Sequence, residues 1–210
     1  YALMLKNRRF RLLAFAGTFL FGALFLYIAA APDYVMTHLR LDETQFGWFF
    51  VPTIAGMGVG AFVSGRMAGK VAGISLVRWG YAICGVSVLL NLLYASNTPC
   101  LELPWAVMPM SGLAFGVALI FPILTIALLD LYPHIRGTAS SMQAFISLMA
   151  NAMISGLLVP LVSKNTALMA AVSCLFVAMA YGFWRMYLAL PHPALQCTDQ
   201  PVAFEPMDEL

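Results

Sequence analysis

An all-α, polytopic membrane protein with six transmembrane helices is the fold class this sequence predicts, on three observations. Of its 210 residues, 62% are hydrophobic and only 10% charged, with a mean hydropathy of +0.87. A soluble domain carries roughly 25% charged residues. Six apolar runs divide the chain, each long enough to cross a hydrocarbon core of about 30 Å. The basic residues between those runs fall almost entirely on one side.

Residues 1–10 read as a basic linker carrying Lys6, Arg8 and Arg9, and Arg11 opens the first span at 11–32. A polar connection, Asp33 to Glu43, leads to the second span, 45–65. There Gly56, Gly58, Gly60, Ala61, Ser64 and Gly65 leave little side chain on the helix surface. In water so many glycines count against a helix. In lipid the backbone must satisfy its own hydrogen bonds, and small residues let helices approach closely. A basic turn, Gly65-Arg66-Met67-Ala68-Gly69-Lys70, precedes the third span at 74–95. Pro99 and Pro104 break the next loop, and the fourth span, 103–129, is long enough to tilt. The turn DLYPHIRGT leads to the fifth span, 139–162, and Ser163-Lys164-Asn165 to the sixth, 166–190. Residues 191–210 are polar and proline-bearing, and the expectation is a disordered tail.

The positive residues set an orientation. Lys6, Arg8, Arg9, Arg11, Arg66, Lys70, Arg78, Arg136 and Arg185 share one side, and only Arg40 and Lys164 fall on the other. Six spans return the chain to its starting side, so both ends are expected in the cytoplasm. No cleavable signal peptide is visible. The opening YALMLKNRRF lacks an initiator methionine, so the expectation is an excerpt of a longer protein.

Other classes find little support. No basic cluster interleaves with aromatics in the manner of nucleic-acid binders. Cys84, Cys100, Cys174 and Cys197 have no metal-ligand spacing, and no cofactor or metal is expected. An intramembrane protease needs a nucleophile and a base at matched depth. His38, His134 and His192 all lie in loops or the tail, and Ser64-Gly65 follows Phe62-Val63 instead of a Gly-x pair. The reading is therefore not an enzyme.

Two constellations carry the functional signal. Ser140, Gln143, Ser147, Asn151 and Ser155 recur at steps of three and four in the fifth span, which places them on one helical face. Such a stripe fits interhelical hydrogen bonding, and it fits equally the wall of a substrate cavity. Gln143 and Asn151 weigh most, because an unpaired amide in hydrocarbon is costly. Aromatics and methionines form the second group: Phe21, Phe25 and Tyr27; Trp48, Phe49 and Phe50; Met108, Met110, Phe115 and Phe121. Flat rings and thioethers suit varied apolar or cationic ligands, and they also serve as packing or belt residues. Pro52 and Pro122 either kink their helices or are simply accommodated. No charged residue is central to any span. Asp33, at the outer end of the first, is the one weak candidate for proton coupling.

The loop GRMAGKVAG resembles the signature loop of the major facilitator superfamily, roughly G-x-x-x-(D/N)-(R/K)-x-G-(R/K). Gly65 and Lys70 stand at signature positions, whereas the acidic position holds Gly69 and the second glycine comes one residue late, at Gly73. The stretches PDYVMTHLRLDETQFGWFF through SGRMAG, and FPILTIALLDLYPHIRGTASSM, resemble drug-resistance transporters of the Bcr/CflA type. The resemblance implies the C-terminal six-helix half of a twelve-span drug:proton antiporter in a bacterial inner membrane. Its partners would be a small apolar or cationic substrate, the proton, the lipid bilayer and the missing N-terminal six-helix half. It implies a midplane cavity between the halves, lined by the first, second, fourth and fifth spans, with the third and sixth facing lipid. Gln143, Asn151, Ser147, Tyr27, Phe25, Trp48, Phe49 and Met110 become its cavity candidates. Arg66, Lys70, Asp130 and Arg136 become a cytoplasmic gate. Asp130 ends a helix whose dipole disfavours its charge, so a pair with Arg66 or Arg136 is expected. A sugar or metabolite exporter of the same superfamily would show a more polar cavity, and a membrane scaffold or receptor domain would need no particular residues.

Overall fold

The computed structural model describes residues 2–98 and 102–191. Six helices long and apolar enough to cross a membrane follow one another, and no strand occurs among the described residues. They are α1 (Arg8–Ala29), α2 (Gly47–Met67), α3 (Gly73–Asn97), α4 (Met108–Leu129), α5 (Arg136–Met153) and α6 (Thr166–Leu188). The protein is an all-α, polytopic membrane protein.

Local chemistry sets several of the boundaries. Asn7 caps α1, its side chain accepting the Arg9 N–H at 3.0 Å, so the helix starts earlier than the basic cluster suggests. Residues 2–10 are also no free linker. Ala2–Lys6 is helical, Phe10 is fully buried, and the Phe10 ring meets Tyr132 edge-on at 6.0 Å. At the fourth span, 103–107 form turns, and α4 begins only at Met108, with Pro109 in its first turn. Proline is favoured there because its missing N–H would be unpaired anyway. Asn165 caps α6 by accepting the Leu168 N–H at 3.1 Å.

The fifth span changes character part-way. After Met153 it widens into a π segment, Ile154–Leu158, then closes as Val159–Val162. Pro160 explains this: it offers no N–H to the preceding turn, and its ring pushes that turn's carbonyl aside. A second π segment, Asp33–His38, continues beyond α1, and the Leu39 N–H reaches back to the Tyr34 carbonyl at 3.0 Å.

Helices α1 and α4 form the central pair. Helix α2 packs along α4, α5 lies along α1, and α3 and α6 close the back of the bundle. Two buried clusters fill it. One holds Phe10, Leu13, Leu20, Ile120, Leu124 and Trp184. The other, toward the opposite end, holds Tyr27, Tyr34, Phe49, Met110, Val159 and Met169. The α2–α4 contact depends on Gly56 and Gly60, where an added Cβ would lie 2.4 Å from the Ser111 and Phe115 carbonyl oxygens respectively. Gly58 and Gly65 meet nothing within 4 Å, so the small-residue surface of α2 has one packed side and one open side. Gly69 adopts φ +76° in the basic turn, a conformation that suits glycine.

Candidate functional site

At the front of the central pair, α1, α4 and α5 converge on a cluster of polar side chains. Gln143 Nε2 donates to Thr125 Oγ1 at 3.3 Å, tying α5 to α4. Thr18 and Ser147 hydroxyls lie 3.1 Å apart, tying α5 to α1. Gly17 lies beside this cluster: a Cβ there would sit at ordinary contact distance, 3.7 Å, from both Gln143 Nε2 and the Phe121 ring. Thr18 and Gln143 are buried, while Thr125 and Ser147 are half-buried.

An aromatic strip runs beside these hydroxyls. Phe21 stacks on Phe25 with centroids 6.1 Å apart and meets Phe121 at 6.0 Å. All three rings are half-buried. Asn151 stands one turn beyond Ser147, and its Oδ1 is buried without a hydrogen-bond partner. Among described side-chain oxygens and nitrogens, it alone is left so. The outward flank of α5 is bare, with Phe145, Leu148 and Met149 more than half exposed. The result is one wall, polar at its centre and aromatic along one edge.

The remaining candidates separate into distinct places. Tyr27 is buried inside the bundle, where its hydroxyl accepts a hydrogen bond from Asn91 Nδ2 of α3 at 2.6 Å. Phe49 and Met110 are buried in the same cluster. Phe49 touches Tyr34 and Phe50 at 5.6 and 5.1 Å. Burial pushes the Tyr34 phenol well above its ordinary value, and nearby Tyr94 adds to the shift. It therefore stays a neutral donor to the Ala106 carbonyl, 3.4 Å away. Trp48 is 65% exposed and lines an apolar hollow with Pro52, Pro104 and Met108. Ser140 and Ser155, at the ends of the stripe, are exposed, as is Asp33.

At the opposite end from Asp33, Arg136 Nη2 donates to Asp130 Oδ1 at 2.8 Å. Of the two partners left open for Asp130, Arg136 takes it. Arg66 instead lies 5.9 Å over the Phe62 ring, and Lys70 is exposed. Thr18 and Thr125 were missed by sequence reasoning. Each is a lone hydroxyl within an apolar run, and that isolation is the signal that could have found them. Among the described residues, no cluster of His, Cys, Asp and Glu could hold a metal ion.

These features define a class: a six-span membrane bundle presenting one polar and aromatic wall that this chain leaves uncovered. Comparison with known proteins narrows it. Multidrug resistance protein 3 of Bacillus subtilis (strain 168) is 31% identical over 150 residues, covering 68% of this chain and 28% of that protein. The bicyclomycin resistance protein homolog of Haemophilus influenzae is 28% identical over 170 residues, or 80% of this chain and 41% of its own length. Multidrug transporter MdfA of Yersinia pestis bv. Antiqua is 27% identical over 152 residues, 71% of this chain and 36% of its own. No family model matches. The chain belongs to the major facilitator superfamily, in which the relatives it matches are named as drug-resistance proteins, and it spans less than half the length of these curated relatives.

Proposed function

We propose that this chain is the C-terminal six-helix half of a twelve-span exporter. It would expel small apolar or cationic molecules in exchange for protons, by alternating access. The carrying observation is the wall where Gln143, Ser147, Thr18 and Thr125 meet the Phe21–Phe25–Phe121 strip. Thr18 and Ser147 lie near the middle of their spans, the depth at which such transporters bind substrate. Rings offer sequence-tolerant contact to flat apolar or cationic molecules, and the hydroxyls and amides orient them. Asn151 Oδ1, buried and unpartnered, is an acceptor positioned to meet a donor supplied by substrate or by the facing half. The names of the relatives support drugs as the substrate class.

Alternating access requires two halves that rock about the site. The open side of α2 and the bare flank of α5 are the surfaces we assign to the other half. The one-sided distribution of positive residues supports a reading in which both ends of this chain lie in the cytoplasm, and the bacterial relatives support an inner membrane. There the Asp130–Arg136 pair, on the same side as Arg66 and Lys70, would serve as an inner gate. With no acid central to a span, the principal proton carrier belongs to the N-terminal half.

The test is uptake of a fluorescent cation, added to the medium, by everted membrane vesicles carrying the full polypeptide from a strain lacking other exporters. Expected is transport that collapses when the pH gradient is discharged and falls severalfold in Gln143→Ala at equal expression. Transport indifferent to the pH gradient would remove proton exchange, and no transport of any cationic or apolar probe would remove the exporter reading. A gene product near this chain's 22.9 kDa, instead of roughly twice that mass as two six-span halves require, would sink the single-chain form.

A further inference from the structure

We propose that the groove between α3 and α6 binds an anionic phospholipid of the bilayer, one acyl chain lying in the groove and the phosphate meeting Arg78. The inference rests on the reading that this back face meets lipid while the second half covers the front. The groove has a volume of about 350 Å³, and its floor is made by small side chains, Ala82 and Gly85 of α3 and Ala178 of α6. Leu89 closes one end, and Arg78 stands at the other as the single charged group in the lining. From Arg78 to Leu89 is a rise of roughly 16 Å at 1.5 Å per residue. That is about half of the 30 Å hydrocarbon core, hence the depth of one leaflet.

The charged end is built for more than a chain. Arg78 and Ala82 also line a second hollow, of about 380 Å³, with Ser75 and Trp79. The two hollows share Arg78 and Ala82 as lining residues, which sets a headgroup compartment beside a chain compartment. Trp79 is 68% exposed, as befits a ring lying at the membrane boundary. On α6, Arg185 is exposed one turn beyond Tyr181, which lines the groove. Neither the Arg78 nor the Arg185 guanidinium has a carboxylate or hydrogen-bond partner among the described residues. The unpaired Arg78 guanidinium at the mouth of an apolar slot, with Arg185 exposed one turn beyond the lining residue Tyr181, complements a phosphate, which arginine can bind through two parallel N–H donors. A second copy of this chain is the poorer occupant. A two-fold axis along the membrane normal would bring the same uncompensated cations together at one depth.

The structure also supplies a clean probe. A Cβ added at Gly85 meets no atom within 4 Å, and Gly85 lines the groove, so Gly85→Phe starts from open space and directs its ring into the groove. The full polypeptide, purified in mild detergent, is titrated with phosphatidylglycerol and with phosphatidylcholine, and bound lipid is counted by native mass spectrometry. Expected is one phosphatidylglycerol held severalfold more tightly than phosphatidylcholine. The double variant Arg78→Gln/Arg185→Gln loses that preference, Arg78→Lys retains part of it, and Gly85→Phe loses the bound lipid altogether. Ala82→Leu serves the same purpose should Gly85→Phe fail to fold. Equal affinity for the two lipids, or phosphatidylglycerol binding unchanged by Gly85→Phe, overturns the proposal. So does a dimer converted to monomers by Gly85→Phe with lipid binding intact, which would assign the face to a second copy. Lipid is counted without any transport, so the outcome is independent of the efflux test.

Discussion

Thr18 Oγ1 and Ser147 Oγ face each other across 3.1 Å near mid-span and fasten the peripheral helix α5 to the central helix α1. Thr18→Val keeps the shape and removes one partner. Interhelical hydrogen bonds in membranes average about 0.6 kcal/mol and reach about 1.7, so the expected loss is small. Reversible unfolding in mixed micelles should show a drop of that size. The variant should change substrate preference more than expression, because its hydroxyl belongs to the wall.

Gln143 carries more, since it is buried and bridges to Thr125 at 3.3 Å. Gln143→Leu fills the same volume without polar atoms, so the half should still fold. Drug tolerance of cells expressing the variant should nonetheless fall severalfold at matched protein level. Unchanged tolerance would assign the stripe to helix packing alone.

The fold was legible because its signals are coarse. Twenty-residue apolar runs survive any error in individual contacts, and Asn7 and Pro109 then moved the starts of α1 and α4 by a few residues. The π segment at Ile154–Leu158 was not legible. Pro160 announces a disturbance, but whether the helix kinks, breaks or widens is decided by what packs around it. The site was half legible. Periodicity placed Gln143, Ser147 and Asn151 on one face, whereas composition alone could not tell wall aromatics from core aromatics. Phe25 and Phe121 lie on the wall, but Tyr27, Phe49 and Met110 turn inward. For Tyr27 the deciding partner, Asn91, comes from α3, a long way off in sequence and outside the periodic pattern of α1.

Gly56 and Gly58 offer a direct contrast on one helix. A Cβ at Gly56 would lie 2.4 Å from the Ser111 carbonyl oxygen, while one at Gly58 meets nothing within 4 Å. Gly56→Val should force α2 away from α4, at a cost of about 1–3 kcal/mol for overpacking, and lower the yield of monodisperse protein. Gly58→Val should leave yield unchanged when the full polypeptide is run by size exclusion. If it impairs transport, the facing half approaches α2 at that point.

Tyr27 and Asn91 are both buried, with donor and acceptor 2.6 Å apart. Tyr27→Phe leaves the Asn91 amide unpaired in an apolar interior and should cost about 1–3 kcal/mol. Adding Asn91→Leu removes the orphaned group, so the double variant should recover most of the loss. A double-mutant cycle read by thermal melting checks this. Additive losses would mean that the two side chains stabilise the bundle through other contacts.

Asp130 is the C-cap of α4, where the helix dipole repels its charge, and Arg136 offsets that at 2.8 Å. Both side chains are more than half exposed, 59% for Arg136 and 56% for Asp130. Solvent therefore limits the pair to at most about 1 kcal/mol, which is still roughly five-fold in an equilibrium constant. Asp130→Asn should leave expression intact and alter transport rate by no more than that factor, with the effect shrinking as salt screens the wild-type pair. Rates equal to wild type at every ionic strength would reduce Asp130 to an ordinary helix end.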